Sequence, residues 1–320
     1  SFEIIAATTI AYDEQWKSRL RSAPDFSGEE LALLHTEFGR YCGMQVRQFI
    51  KHHQWRPALI ASHGHTVFHR PEKGLTLQIG SGAEIAAATG IPAVCDFRST
   101  DAALGGQGAP LVPIGDRLLF GDYGICLNLG GFSNASFESA GERLAYDICP
   151  VNIALNALAA ETGESFDRDG MLAASGTVDD ELLERLNGLN FYRQPPPKSL
   201  GREWLLREFL PVLNSSEASI ADKLATVTEH IARQIGKSLE SIPATTLLIT
   251  GGGAHNQYMV SRIKEHTAHK VIIPGADIVD YKEALVFALL GILRLSGRIN
   301  CLKSVTGASR DSIGGAVYTG

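Results

Sequence analysis

The sequence predicts an α/β protein with substantial parallel sheet, arranged in two lobes. Short apolar runs alternate with amphipathic helical stretches, the pattern of a sheet covered by helices. Twice an apolar run drives straight into consecutive glycines, at Ile125-Cys126-Leu127-Asn128-Leu129-Gly130-Gly131 and at Thr246-Leu247-Leu248-Ile249-Thr250-Gly251-Gly252-Gly253. A length of 320 residues, 44% hydrophobic and 20% charged, suffices for two separate cores in a globular chain.

The chain opens on an apolar run, Ile4 to Ile10, with no basic segment or cleavage-like site before it. The expectation is a non-secreted chain entered partway through its first domain. Glu29 to His52 reads as a long helix, with Leu31, Leu34, Phe38, Tyr41, Gln45 and Phe49 near one face. Strand-like runs follow at Ala58–Ser62, Leu75–Ile79 and Pro92–Cys95, with a short helix at Ala83–Thr89. A boundary near Asp122 divides residues 1–122 from 123–320, so the first glycine strand opens the second lobe. Tyr192–Ser199, with Pro195-Pro196-Pro197, is expected to be an extended surface connection. Asp222 to Ser241 reads as a second long helix with Leu224, Val227, Ile231, Ile235 and Leu239 on a stripe, capped by Ser219 or Asp222. Lys282 to Ser296 is apolar almost all round and is expected to be a buried helix.

A formal charge of −6 argues against a general nucleic-acid binder, and no apolar stretch reaches membrane-spanning length. Five cysteines, odd in number and never in a C-x-x-C pair, indicate reduced, cytoplasmic usage. Cys95 and Cys126 lie on apolar strands and read as core.

A buried strand ending in glycines leaves main-chain N–H groups approachable by anionic oxygens. Ser133 with Asn134 follows the first glycine turn; His255 with Asn256 follows the second, before a helical stretch Gln257 to His266 whose N-terminus adds a positive dipole end. Together the turns read as two walls of a nucleotide cleft; either alone could be a tight turn of an ordinary sheet. Arg98, between Asp96 and Asp101, suits forked contact with a carboxylate or phosphate, or an ion pair with Asp101 that braces the glycine-rich loop after it. Asp147 closes a strand before a helix at Ile153–Thr162, as a cap or as a general base. His63 and His65 would share one face of a strand, with His69 beyond, yet no cysteine or carboxylate sits at ligand spacing; a polar strand end facing a sugar fits better than zinc. Glu283 begins the third helix, where it could serve the dipole or accept from sugar hydroxyls. Neither Ser62 nor Ser133 has a G-x-S-x-G setting, and G-x-x-x-x-G-K-[ST] is absent from the sequence.

With these residues in hand the chain resembles the anhydro-N-acetylmuramic acid kinases, sugar kinases of the acetate and sugar kinase/Hsp70/actin superfamily. The matching blocks are His63-Gly64-His65-Thr66, Asp96-Phe97-Arg98, the run Asp101 to Pro113, Leu127 to Gly131, Pro197-Lys198-Ser199-Leu200-Gly201-Arg202-Glu203, Thr250 to Asn256, Glu283 to Ala288 and Ser304 to Ser309. They stand in family order and cover most of the chain from residue 58 onward.

The resemblance implies an actin-like, ribonuclease H-like fold of two lobes with a central cleft, and a homodimer. It implies use of ATP and Mg²⁺ to convert 1,6-anhydro-N-acetylmuramic acid to N-acetylmuramic acid 6-phosphate. Asp147 then matches the catalytic base. Gly130 and Gly131, with Asn134, match a phosphate loop, and Gly251, Gly252 and Gly253, with Asn256, match the adenosine loop. Thr66, Arg98, Asp101 and Glu283 match positions lining the sugar pocket; no resident metal ligand is implied. Two departures stand out. The family's opening M-S-G-T-S-x-D-G-x-D turn has no counterpart, as expected for a truncated start. The family's D-T-G-P-G-N reads Asp147-Ile148-Cys149-Pro150-Val151-Asn152 here. Alternatives are a kinase for another anhydrosugar such as levoglucosan, or a nucleotide-binding sensor of the same fold.

Overall fold

The computed structural model describes residues 2–196 and 198–320; Ser1 and Pro197, the latter part of the proline run and of the Pro197–Glu203 block, lie outside the described residues. The chain divides into two compact units, one formed by residues up to Leu119 together with Glu283–Gly320, the other by Phe120–Lys282. The strands among the described residues are β1 (Ile60–Ala61), β2 (His65–Arg70), β3 (Leu75–Ile79), β4 (Ala93–Cys95), β5 (Ile125–Leu129), β6 (Phe132–Ser139), β7 (Glu142–Pro150), β8 (Thr246–Thr250), β9 (Lys270–Ile272) and β10 (Ala316–Tyr318).

In the first unit β4 is central, parallel to β1 and antiparallel to β10, while β2 and β3 form a separate hairpin. Because β10 lies at the end of the chain, residues 283–320 return to this unit, and a single boundary near Asp122 does not describe the division. The long helix runs Gly28–His53. Ser27 and Glu30 close a capping box at its start, each side chain accepting the other's backbone N–H. Leu34 and Phe38 on its inner face pack with Leu20, Ala23 and Ile79. Burying each of these larger side chains contributes about 1.5–3 kcal/mol. Leu20 comes from a helix at Glu14–Ser22, capped by Asp13 and too polar to stand out in the sequence. The short helix is Gly82–Thr89, close to the expected span.

In the second unit a five-stranded sheet has the order β7-β6-β5-β8-β9. Strand β6 is antiparallel to both β7 and β5, and β5, β8 and β9 are parallel. Numbered within the unit this is 3-2-1-4-5, the sheet of a ribonuclease H-like lobe. The helix Ile220–Leu239 buries Leu224, Val227, Ile231, Ile235 and Leu239 in the core of this unit, and its cap is Ser219, which accepts the Asp222 N–H at 3.2 Å. Cys95 and Cys126 are buried, as read from the sequence.

The third helix spans Ala276–Leu295, starting earlier than the sequence suggested. It buries Val286, Phe287, Leu290 and Leu293, but Ile292 is 51% and Leu295 47% exposed. Apolar composition around a helix does not oblige every face to be covered, since apolar side chains on the surface are common. Among the described residues no helix is long and apolar enough to cross a membrane.

Candidate active site

Strands β5 and β8 pair in parallel, with Asn128 opposite Thr250, so the two glycine turns emerge side by side from the same end of adjacent strands. In open α/β sheets that end is where ligands bind. At the first turn the carbonyls are already engaged: Gly131 O accepts from the N–H groups of Val151 (2.8 Å) and Ile153 (3.3 Å), and Gly130 O from Asn152 (3.2 Å). The other side is open. A Cβ on Gly131 would meet nothing closer than Ile153 Cβ at 3.9 Å, and one on Gly130 would meet the Asn128 Nδ2 side-chain end at 3.0 Å and Phe132 O at 3.5 Å. Glycine here is not demanded by the packing; its absence of a side chain leaves the main chain accessible.

The second turn is different. Gly251 has φ +85°, and its N–H donates to Val279 O at 3.1 Å. A Cβ there would fall 2.5 Å from Asn128 Oδ1 and 2.9 Å from Leu129 O. Gly253 abuts Leu129 as well, with a would-be Cβ 2.7 Å from Leu129 Cβ. The turn therefore seats itself on the end of β5 and brings its own backbone against the first turn. Asn256 caps the helix Gln257–Glu265, its Oδ1 accepting the Met259 N–H at 2.9 Å.

Beside these turns lies a cavity of about 540 Å³ bounded by Gly252, His255 and Asn256, by Asn152 and Asn156 of the helix Asn152–Ala160, and by Phe166–Asp169. Its size suits a nucleoside. Asn152 links it to the first turn, since its Nδ2 donates to Leu129 O at 3.1 Å. His255 is oriented by Asp280, with Nε2 and Oδ1 2.6 Å apart. Of the residues around this cavity, Asn152 has a sequence signal only as the last member of the run Asp147 to Asn152, and Arg168 has none.

Asp147 lies on β7 opposite Asn134 of β6. A bulge follows, because Ser133 pairs with Cys149 and Ile148 is left over. Asp147 is not a helix cap: the next helix is preceded by Val151, with no capping side chain. Instead a strap formed by residues 198–200 grips it. The Asp147 N–H donates to Lys198 O at 3.0 Å, while its Oδ2 accepts the Leu200 N–H at 2.8 Å and the Ser199 hydroxyl at 3.3 Å. Oδ1 has no hydrogen-bond partner among the described residues. Burial pushes the carboxyl pKa up, and the two donors pull it partly back. One oxygen is thus fixed and the other is free to accept a proton, with its basicity raised. The extended surface connection that the sequence predicts over Tyr192–Ser199 ends in this strap, so Lys198 and Ser199 of that stretch contact Asp147.

The remaining sequence candidates lie in the first unit. Gly64, at φ +75°, turns the chain between His63 and His65, and β2 begins only at His65. The two imidazoles therefore do not share a strand face. His63 Nδ1 donates to Gly64 O (3.0 Å), so its Nε2 accepts from Arg98 Nε (3.1 Å). His65 sits edge-on to Phe38, and His69 Nδ1 meets Thr76 Oγ1 at 3.4 Å. Thr66 Oγ1 accepts from Gln78 Nε2 at 3.4 Å; Gln78 Oε1 is buried without a partner among the described residues.

Arg98 does not pair with Asp101. It is largely desolvated, which pulls its pKa down, and the Glu283 carboxylate acts against that shift. Glu283 is itself exposed and sits within the helix Ala276–Leu295, not at its N-terminus, so the dipole reading does not apply to it. Asp101 is 1% exposed and fully engaged: Oδ1 accepts from the Thr306 hydroxyl (2.7 Å) and the Cys301 thiol (3.0 Å), and Oδ2 from the Gly108 N–H (2.8 Å). It braces the glycine-rich loop from within and does not face solvent.

Burial, reinforced by Arg98, pushes the His63 pKa down to about 4, and burial alone pushes His230 down to about 3. The unfolded chain takes up these protons near pH 6.5, and the folded chain resists them. Stability is accordingly complete above pH 6.5 and falls as pH is lowered from 6.5 toward 4. Urea midpoints that stay level across that interval would contradict this.

A model of the family described as anhydro-N-acetylmuramic acid kinase matches residues 18–320. The chain belongs to the anhydro-N-acetylmuramic acid kinase family. Within it, this family member is 40% identical over 291 residues to the anhydro-N-acetylmuramic acid kinase of Gloeobacter violaceus, covering 84% of this chain and 76% of the relative. The Aliivibrio fischeri enzyme of the same name is 39% identical, covering 81% and 74%. That of Xanthomonas oryzae pv. oryzae is 35% identical, covering 99% and 89%. Among solved structures, the activator of the 2-hydroxyisocaproyl-CoA dehydratase from Clostridium difficile superposes with a TM-score of 0.37 at 14% identity, covering 66% of this chain and 82% of that one. The family is one of phosphotransferases, so the chain is a kinase that uses ATP.

Proposed function

We propose that this kinase opens 1,6-anhydro-N-acetylmuramic acid with water and phosphorylates the freed O6, giving N-acetylmuramic acid 6-phosphate for cell-wall recycling. The observation that carries the reading is Asp147, with one carboxylate oxygen held by the strap and the other unpartnered. The family membership supports the substrate.

In this reading the adenosine lies in the cavity by Gly252, His255 and Asn256, and the phosphates meet the open side of Gly130-Gly131. Asn134, opposite Asp147 in the ladder, borders the same turn. Mg²⁺ would accompany the triphosphate, since that ion keeps several waters and takes ligands chiefly from phosphate. Asp147 Oδ1 takes a proton from the water whose oxygen attacks C1. The C1–O6 bond breaks, and O6 forms its new bond to the γ-phosphorus as ADP leaves. Taken by itself, the first unit offers Arg98 to a carboxylate, and Glu283, Thr66 and Gln78 Oε1 to hydroxyl and amide groups. Asp101 contributes by holding the loop 104–110. A cytoplasmic homodimer goes with this assignment, and five free cysteines suit a reducing compartment.

The test is a substrate panel run in ¹⁸O-labelled water. Label at C1 of the product and none in its phosphate is expected, with turnover depending on the lactyl and N-acetyl groups. Equal turnover of levoglucosan, or label in phosphate, overturns the assignment.

A further inference from the structure

A second cavity, of about 380 Å³, lies in the Phe120–Lys282 unit behind the β6–β7 hairpin. Leu144, Tyr146 and Ile148 line it, alternating along β7 with Ala145 and Asp147, so it opens on the face of the strand opposite the Asp147 carboxylate. Its apolar wall is matched by two ammonium groups, Lys198 and Lys237; burial pulls the Lys198 pKa down, and the neighbouring Lys237 adds to that shift. Lys198 rests on the Phe191 ring at 4.6 Å and donates to Phe191 O at 3.3 Å, which leaves donors to spare. Lys237 has no hydrogen bond or acidic partner among the described residues. A lysine in the last turn of a helix ordinarily serves the dipole. That does not account for a cavity with a second ammonium in its wall. Glu240, the exposed cap of the same helix, is the one acidic residue of the lining among the described residues.

From this arrangement we infer that the cavity is a binding site for a phosphate monoester carrying an apolar or ring substituent. The two lysines hold the dianion, and the wall of Leu144, Tyr146 and Ile148 takes the substituent. Lys198 makes the site consequential, because its backbone carbonyl accepts from Asp147 and its neighbours Ser199 and Leu200 hold the carboxylate. A ligand drawing on the Lys198 side chain therefore acts on the strap that orients the proposed base. The binding itself is independent of which sugar the kinase uses.

The experiment titrates phenyl phosphate into the full chain with the nucleotide cavity saturated by a non-hydrolysable ATP analogue, followed by calorimetry. Saturable binding is expected, with phenol and inorganic phosphate each much weaker. Lys237→Met should weaken it by about tenfold or more, the value of one charge-assisted hydrogen bond, and Lys237→Arg should largely retain it. ATP-analogue affinity, measured on both variants, should match that of the parent and shows that they are folded. Absence of saturable binding overturns the inference, as does unchanged binding by Lys237→Met.

Discussion

Asp147→Asn is expected to lower turnover by about two to four orders of magnitude, the usual worth of a general base. ATP and sugar affinities should stay near those of the parent. The substitution keeps the shape of the side chain and the contacts at one oxygen, so the Leu200 N–H and Ser199 hydroxyl still have an acceptor. What it removes is a site for the proton. Positioning and charge stabilisation of the transferred group are untouched, which is why residual turnover is expected rather than none. ADP release at the parental rate would show that Asp147 is not the base. A supporting signature lies in the pH profile. With the Asp147 pKa raised by burial, activity should fall on the acid side at a pH above the ordinary range of an aspartate. Ser199→Ala removes one of the two donors that pull the pKa down and should move that acid limb further upward.

Gly251→Ala is the second large effect. At φ +85° an alanine is strained by about 1–3 kcal/mol, and its Cβ would sit 2.9 Å from Leu129 O and 2.5 Å from Asn128 Oδ1. Asn128 can rotate away; the Leu129 carbonyl, in the middle of the sheet, cannot follow without disturbing β5. The expected result is a lower urea midpoint together with a loss of ATP affinity, because the same movement displaces both glycine turns. Gly131→Ala provides the contrast. Its Cβ has room, so stability should hardly change while phosphate binding suffers from the added methyl group. Parental ATP affinity in both variants would remove the glycine turns from the nucleotide site.

The glycine turns were legible because a strand that ends in bare glycines advertises itself in a single stretch of chain. So were the long helices Gly28–His53 and Ile220–Leu239, whose apolar stripes repeat at the helical period. The bracing of Asp101 by Cys301 and Thr306, some two hundred residues away, left no local trace. Nor did the pairing of Arg98 with His63 in place of Asp101. Charge spacing suggests an ion pair, but desolvation and backbone direction decide which partner is within reach.

By itself the sequence determined the α/β class, the positions of the glycine turns and the kinship with anhydro-N-acetylmuramic acid kinases. Those properties are written in local composition, periodicity and ordered motifs. Only the tertiary structure decided that Asp147 is clasped by residues 198–200 rather than capping a helix, that Asp101 faces inward, and that one side of the third helix stays open to solvent. Each of those depends on which surfaces meet. Hydrogen bonding and burial between distant segments are set by packing, and a linear pattern carries no record of it.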